Sequence, residues 1–195
     1  VRNANAEILR EHGLKITENG LNFHVRPRII DSNNLTDLRH LIELDWLVFT
    51  CKSHQKEALA NQLVRHIGKN TQIASLQNGA DNATLLSRII CRPVVGGLSI
   101  RFAAHIIEPG HVKEDGEGYC LFGNFPTGCN SAVKKMIASC AEVGVDVRET
   151  EDIRRELWRK ILINNGVNPM TALLQRDSEF ILNDPMTVLV VNDLM

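Results

Sequence analysis

Lys160, Asn164 and Asn168 stand at i, i+4 and i+8 in the run Trp158-Arg159-Lys160-Ile161-Leu162-Ile163-Asn164-Asn165-Gly166-Val167-Asn168-Pro169-Met170-Thr171-Ala172. If that run is helical, one ammonium and two carboxamides share a single face. Leu157, Trp158, Ile161, Leu162, Ile163 and Val167 flank the ladder and leave little of the helix for water, so the polar face is expected to look into a cleft. A lysine with amide neighbours and no adjacent carboxylate suits a ligand carrying carbonyl or carboxylate oxygens. The competing reading is that Lys160 snorkels to solvent while the asparagines cap a helix fraying before Pro169.

Two short polar segments are the next candidates. Cys51-Lys52-Ser53 and Gln77-Asn78-Gly79 each follow an apolar run of strand length, Trp46 to Thr50 and Thr71 to Leu76. Loops past the carboxyl ends of parallel strands are where doubly wound sheets bind nucleotides. Read alone, Lys52 is more often a solvated residue at a helix start and Asn78-Gly79 more often a plain turn.

Composition excludes several classes. The 22 Lys and Arg residues nearly balance the 23 Asp and Glu residues, with no dense basic run, so a nucleic-acid surface has no electrostatic support. No apolar run approaches the ~18 residues that a spanning helix requires. Five scattered cysteines without a Cys-x-x-Cys pair suit reduced thiols in a cytoplasmic protein. The seven histidines are dispersed too, and no metal site is expected.

The elements that must position these residues follow from pattern. Ala4 to Glu11 reads as a short helix stopped at Gly13, and Lys15 to Arg28 as two strands about an Asn19-Gly20 turn. Leu38 to Leu44 has near-helical spacing. Trp46 to Thr50 reads as a strand buried on both faces, Gln55 to Ile67 as a helix, Thr71 to Leu76 as a second strand and Asn82 to Ile90 as a helix. This β-α-β-α order predicts an α/β fold with a Rossmann-like parallel sheet. Val94 to Gly123 is broken by Gly96-Gly97, Pro109-Gly110, Gly116 and Gly118, which predicts an antiparallel pair or meander as an extension. Ser131 to Ala141 reads as a helix, Val143 to Arg148 as a last strand, and Arg154 to Asn165 as a long helix preceded by Glu151-Asp152. A boundary near Glu151 would divide residues 1–151 from the start of an all-α domain at 152–195.

Taken in order, Arg2, Ile8-Leu9 to Gly13-Leu14, Lys52 with Gln55, Gln77-Asn78-Gly79, Gly96-Gly97, Pro109-Gly110-His111-Val112, Leu121-Phe122-Gly123 and Trp158-Arg159-Lys160 through Asn168-Pro169-Met170-Thr171-Ala172 resemble the ketopantoate reductase (2-dehydropantoate 2-reductase) family. The resemblance implies reduction of a 2-keto acid by NADPH in pantothenate biosynthesis, with the site between a Rossmann domain and a helical domain. It implies that Arg2 pairs with the 2′-phosphate of the cofactor, that Lys52, Asn78 and Ala103 contact the cofactor, and that Asn78 also reaches the substrate side. Lys160 then matches the proton donor, and Asn164 and Asn168 match the substrate-binding amides.

The sequence departs from that family in three places. The Gly-x-Gly-x-x-Gly phosphate loop is missing upstream, the helical segment that carries a Ser and a Glu is missing downstream, and Gln175-Arg176-Asp177-Ser178 lacks an Asn that some members offer there. The expectation is a fragment lacking both ends and inactive alone. Two other readings stay open: a non-catalytic Rossmann-type module that senses cofactor or binds a partner, and a reductase of a different branched 2-keto acid. Oligomeric state is open as well, a homodimer being one option.

Overall fold

The computed structural model describes residues 4–30, 43–101, 103–115 and 118–195. Arg2, and most of the Leu38 to Leu44 stretch, lie outside them.

Helix α1 (Ala4–His12) leads into β1 (Leu14–Glu18) and β2 (Leu21–Val25). Asn19 and Gly20 join those strands with φ of +49° and +79°, the turn that their sequence predicts. Then come β3 (Trp46–Phe49), α2 (Lys56–Leu63), β4 (Gln72–Ser75), α3 (Asn82–Ile90), β5 (Val95–Ile100), β6 (Ala103–Glu108), β7 (His111–Asp115) and β8 (Tyr119–Asn124). Helix α4 (Ser131–Glu142), β9 (Val147–Glu149), α5 (Ile153–Leu174), α6 (Ser178–Asn183) and α7 (Pro185–Leu194) complete the chain. The fold is mixed α/β with a parallel sheet, antiparallel strands and C-terminal helices, as the pattern predicts.

The central sheet runs β3-β4-β5-β8-β9. Strands β3, β4 and β5 are parallel; β8 lies antiparallel to β5, and β9 parallel to β8. Phe49, Ile73, Ala83, Leu86 and Val94 form the core between this sheet and α2 and α3. Ala74, Val95, Phe122 and Val133 form the core under α4. No helix among the described residues is long and apolar enough to cross a membrane.

Three expectations need correction, and an open alternative is resolved. Strand β3 is not buried on both faces: among the described residues it has one neighbour, β4, and Val48 is 37% exposed while Phe49 is buried. Val94 to Gly123 takes the first of its two expected forms, antiparallel pairs and not one meander. Strand β5 pairs with β8, while the β6-β7 hairpin joins a second sheet, β2-β1-β7-β6, in which Ile16 lies beside Val112 in parallel register. Residues 143–146 belong to no strand, because the amides of Val143, Gly144 and Val145 turn back to carbonyls of Cys140 and Ala141 at 2.9–3.2 Å, with Gly144 at φ +76°. The long helix does not stop near Asn165. Gly166 lies so close to α7 that an added Cβ would sit 2.9 Å from Met195 and 3.0 Å from Val191. Val167, Ile181 and Val191 bury one another there, and this packing carries α5 through Pro169 to Leu174.

Candidate functional site

The position of α5 is set at its first turn. Asp152 caps it, its carboxylate accepting the Arg155 N–H at 2.9 Å. Ile153 is fully buried against β5 and β8. It fits because Gly96 and Gly123 lack side chains: a Cβ on Gly96 would meet Ile153 at 3.0 Å, and one on Gly123 would lie 2.4 Å from the Thr150 carbonyl oxygen. Leu157 joins Leu98 one turn on, and Lys160 follows above the end of β5.

The Lys160 Nζ donates to the main-chain oxygen of Ser99 at 2.6 Å and lies 3.5 Å from its Oγ. Burial lowers the pKa of this ammonium from its ordinary 10.5, and the neighbouring Cys120 partly opposes the shift. The same burial raises the Cys120 thiol above its ordinary 9.0, with Lys160 pulling the other way. Lys160, Asn164 and Asn168 all line one cleft of about 580 Å³ between α5 and the end of β5. Lys160 therefore does not simply snorkel outward, and the asparagines cap no helix end.

Sequence reasoning missed other residues of this cleft, among them Ser99, Arg101, Tyr119 and Ser178. Neither Ser99 nor Arg101 belongs to a motif, and only the chain path brings them beside α5. Arg159 is engaged with Glu156 at 3.5 Å, and Glu156 also meets Arg155 at 3.5 Å. Tyr119 carries the Arg148 guanidinium 3.8 Å above its ring.

Lys52 and Asn78 follow adjacent parallel strands, β3 and β4, and both are exposed. Their loops are tied together. The Ser53 hydroxyl donates to the Asn78 carbonyl at 3.3 Å, the buried Gln77 amide donates to the Cys51 carbonyl at 2.6 Å, and the Asn82 amide donates to the Asn78 carbonyl at 2.8 Å. Neither Lys52 nor Asn78 lines the 580 Å³ cleft. All the same, both groups lie toward one edge: the last pairing of β4 is Ser75 with Gly96, so Ser99 and Ile100 extend past the carboxyl end of β4. Ala103 opens β6 opposite Asp115, and Arg2 lies outside the described residues. Among the described residues no group of His, Cys, Asp and Glu could hold a metal.

The family described as "Ketopantoate reductase PanE/ApbA" matches residues 1–127. The 2-dehydropantoate 2-reductase of Pyrococcus horikoshii is 30% identical over 145 residues, covering 71% of this chain and 47% of that protein. A 2-dehydropantoate 2-reductase from Geobacter metallireducens superposes with a TM-score of 0.82 at 24% identity, covering 97% of this chain and 62% of that one. D-mandelate dehydrogenase with NADH and anilino(oxo)acetate superposes with a TM-score of 0.80 at 21% identity, over 96% of this chain and 59% of that one. The chain spans about half the length of the curated relatives it matches.

Proposed function

The chain belongs to the ketopantoate reductase family, and on that premise we propose that the protein is a cytoplasmic enzyme that reduces a 2-keto acid with NADPH, 2-dehydropantoate being the first candidate. The observation that carries this reading is the Lys160, Asn164 and Asn168 ladder on one wall of a cleft, with the ammonium half-buried.

A nicotinamide cofactor fits the residues present: exposed Lys52 and Asn78 flank the carboxyl ends of adjacent parallel strands, in loops held together by hydrogen bonds. Lys52, together with Arg2, would face the 2′-phosphate, Asn78 would serve cofactor and substrate, and Ala103 would lie against the cofactor. When bound, NADPH supplies the hydride. The oxygen of the reduced carbonyl gains alkoxide character, which the Lys160 charge stabilises and its Nζ proton neutralises. Burial that lowers the Lys160 pKa eases that proton transfer. Asn164 and Asn168 donate amide N–H groups to substrate oxygens. In this reading the cofactor-binding part gives way to the helical substrate part near Glu151.

A related reductase of another 2-keto acid is the second reading. It is favoured by apolar Ile163, Val167 and Leu182 on the cleft wall, which suit an apolar substrate side chain. Following cofactor absorbance in the full-length protein, with 2-dehydropantoate and a set of branched and aromatic 2-keto acids against NADPH and NADH, separates the two. Turnover of no 2-keto acid with either cofactor would remove the reductase reading, and cofactor binding without turnover would favour a sensing module.

A further inference from the structure

We propose that Arg101 is the residue that selects for a carboxylate on the substrate in the Lys160 cleft. The inference rests on the reductase reading above and deepens it: the site takes 2-oxo acids and discriminates against their uncharged counterparts.

Three observations converge on Arg101. It lines the same cleft as Lys160 and Asn164. The other cations there are engaged, Lys160 with the Ser99 oxygen at 2.6 Å and Arg159 with Glu156 at 3.5 Å. Arg101 has no hydrogen bond or ion pair among the described residues, and Glu156, the one carboxylate that lines the cleft among those residues, is shared by Arg155 and Arg159. Arg101 is exposed, and with no partner among the described residues its guanidinium is available to a planar anion entering the cleft; a carboxylate matches its fork of donors.

The backbone adds a separate argument. Arg101 has φ of +59°, in the left-handed region that favours glycine. Among the described residues three other non-glycines share that region: Asn19 in the hairpin turn, and Cys91 and Gln175 at the ends of α3 and α5, where such a conformation is expected. Arg101 sits at no helix end and in no two-residue hairpin; it is the bend that sends the chain from the central sheet into β6. Glycine would fill that bend without strain, so an arginine there points to work for its side chain.

The arrangement suits the chemistry of a 2-oxo acid, whose carboxylate and keto carbon are adjacent. Ser99, which holds Lys160, lies two residues before Arg101, so a guanidinium on the carboxylate leaves the neighbouring keto oxygen for the Lys160 ammonium.

The test is kinetic, in the full-length protein, with 2-dehydropantoate and its uncharged lactone as paired substrates. Arg101→Asn removes the charge but tolerates the left-handed backbone; Arg101→Lys keeps a charge without the fork. Arg101→Asn is expected to lower kcat/KM for the acid roughly 10- to 100-fold, mainly through KM, and to leave the lactone within about twofold, with Arg101→Lys in between. Equal losses on acid and lactone, or no loss on either, would overturn the proposal. Should the wild type reduce neither compound, the reductase reading falls, and titration calorimetry with oxamate decides about Arg101 separately. Oxamate binding weakened at least tenfold in Arg101→Asn upholds the anion site; equal binding, or no binding to the wild type, refutes it. Arg101→Gly serves as a fold control, expected to melt at or above the wild-type temperature.

Discussion

The Lys160 ammonium is anchored 2.6 Å from the main-chain oxygen of Ser99, a residue 61 positions earlier in the chain. A main-chain acceptor cannot be removed by changing the Ser99 side chain, so this contact holds the lysine at the rim of the cleft whatever occupies position 99. The anchor uses one of the three Nζ donors, a second faces the Ser99 Oγ at 3.5 Å, and the third is left for substrate.

Removal of that ammonium is the first prediction. In the full-length protein Lys160→Ala is expected to reduce kcat by about two orders of magnitude or more while cofactor affinity stays nearly constant. Steady-state kinetics beside a cofactor titration measures both, and an unchanged kcat would take Lys160 out of the chemistry.

The pH profile follows from the direction of the Lys160 shift. The protonated form is the donor, so activity falls as pH rises through the Lys160 pKa. Burial moves that pKa below 10.5, and the alkaline limb of kcat/KM is therefore expected below pH 10.5. A profile flat to pH 10.5 would contradict the assignment.

Asn168 is expected to act differently. It is exposed on the cleft wall, one turn beyond Asn164. An amide that holds substrate in ground and transition states alike contributes uniform binding, so Asn168→Ala should raise KM more than it lowers kcat. A pure kcat effect would speak against that role.

The close approach of α5 to the sheet is testable through stability. In Gly123→Ala the new methyl would have to displace the Thr150 carbonyl oxygen, 2.4 Å from its ideal position. Overpacking of this kind costs about 1–3 kcal/mol. Each kcal/mol lowers the Tm of a chain this size by about 2–4 °C. Calorimetry showing no loss would mean that α5 can slide away from β8 freely.

A last prediction concerns Cys129. Burial, then the Glu149 carboxylate 3.2 Å from its sulfur, push this thiol up to about 11. At pH 8 the thiolate is then roughly one part in a thousand, and alkylation should be slow. Glu149→Gln is expected to speed it, read by mass spectrometry of the labelled peptide, and a wild-type Cys129 that reacts as fast as exposed Cys91 would refute the environment described.

Local features of the sequence carried much of this protein. The spacing of Lys160, Asn164 and Asn168 is a helical period and needs no partner to be read; the Asn19-Gly20 turn, the Asn82 to Ile90 helix and the β-α alternation around Trp46 and Thr71 are of the same kind, since propensity and periodicity act within a few residues. What tertiary structure decided lies between residues far apart in the chain. The pairing of β7 with β1, the capture of Lys160 by Ser99 and the passage of α5 through Pro169 each depend on packing between segments whose order in the sequence says nothing of their distance in space. The same holds for Arg101, an unremarkable residue by pattern. It becomes part of the cleft only because Gly96 and Gly123 let Ile153 bring α5 down onto the sheet, and because a left-handed bend at residue 101 turns the chain there.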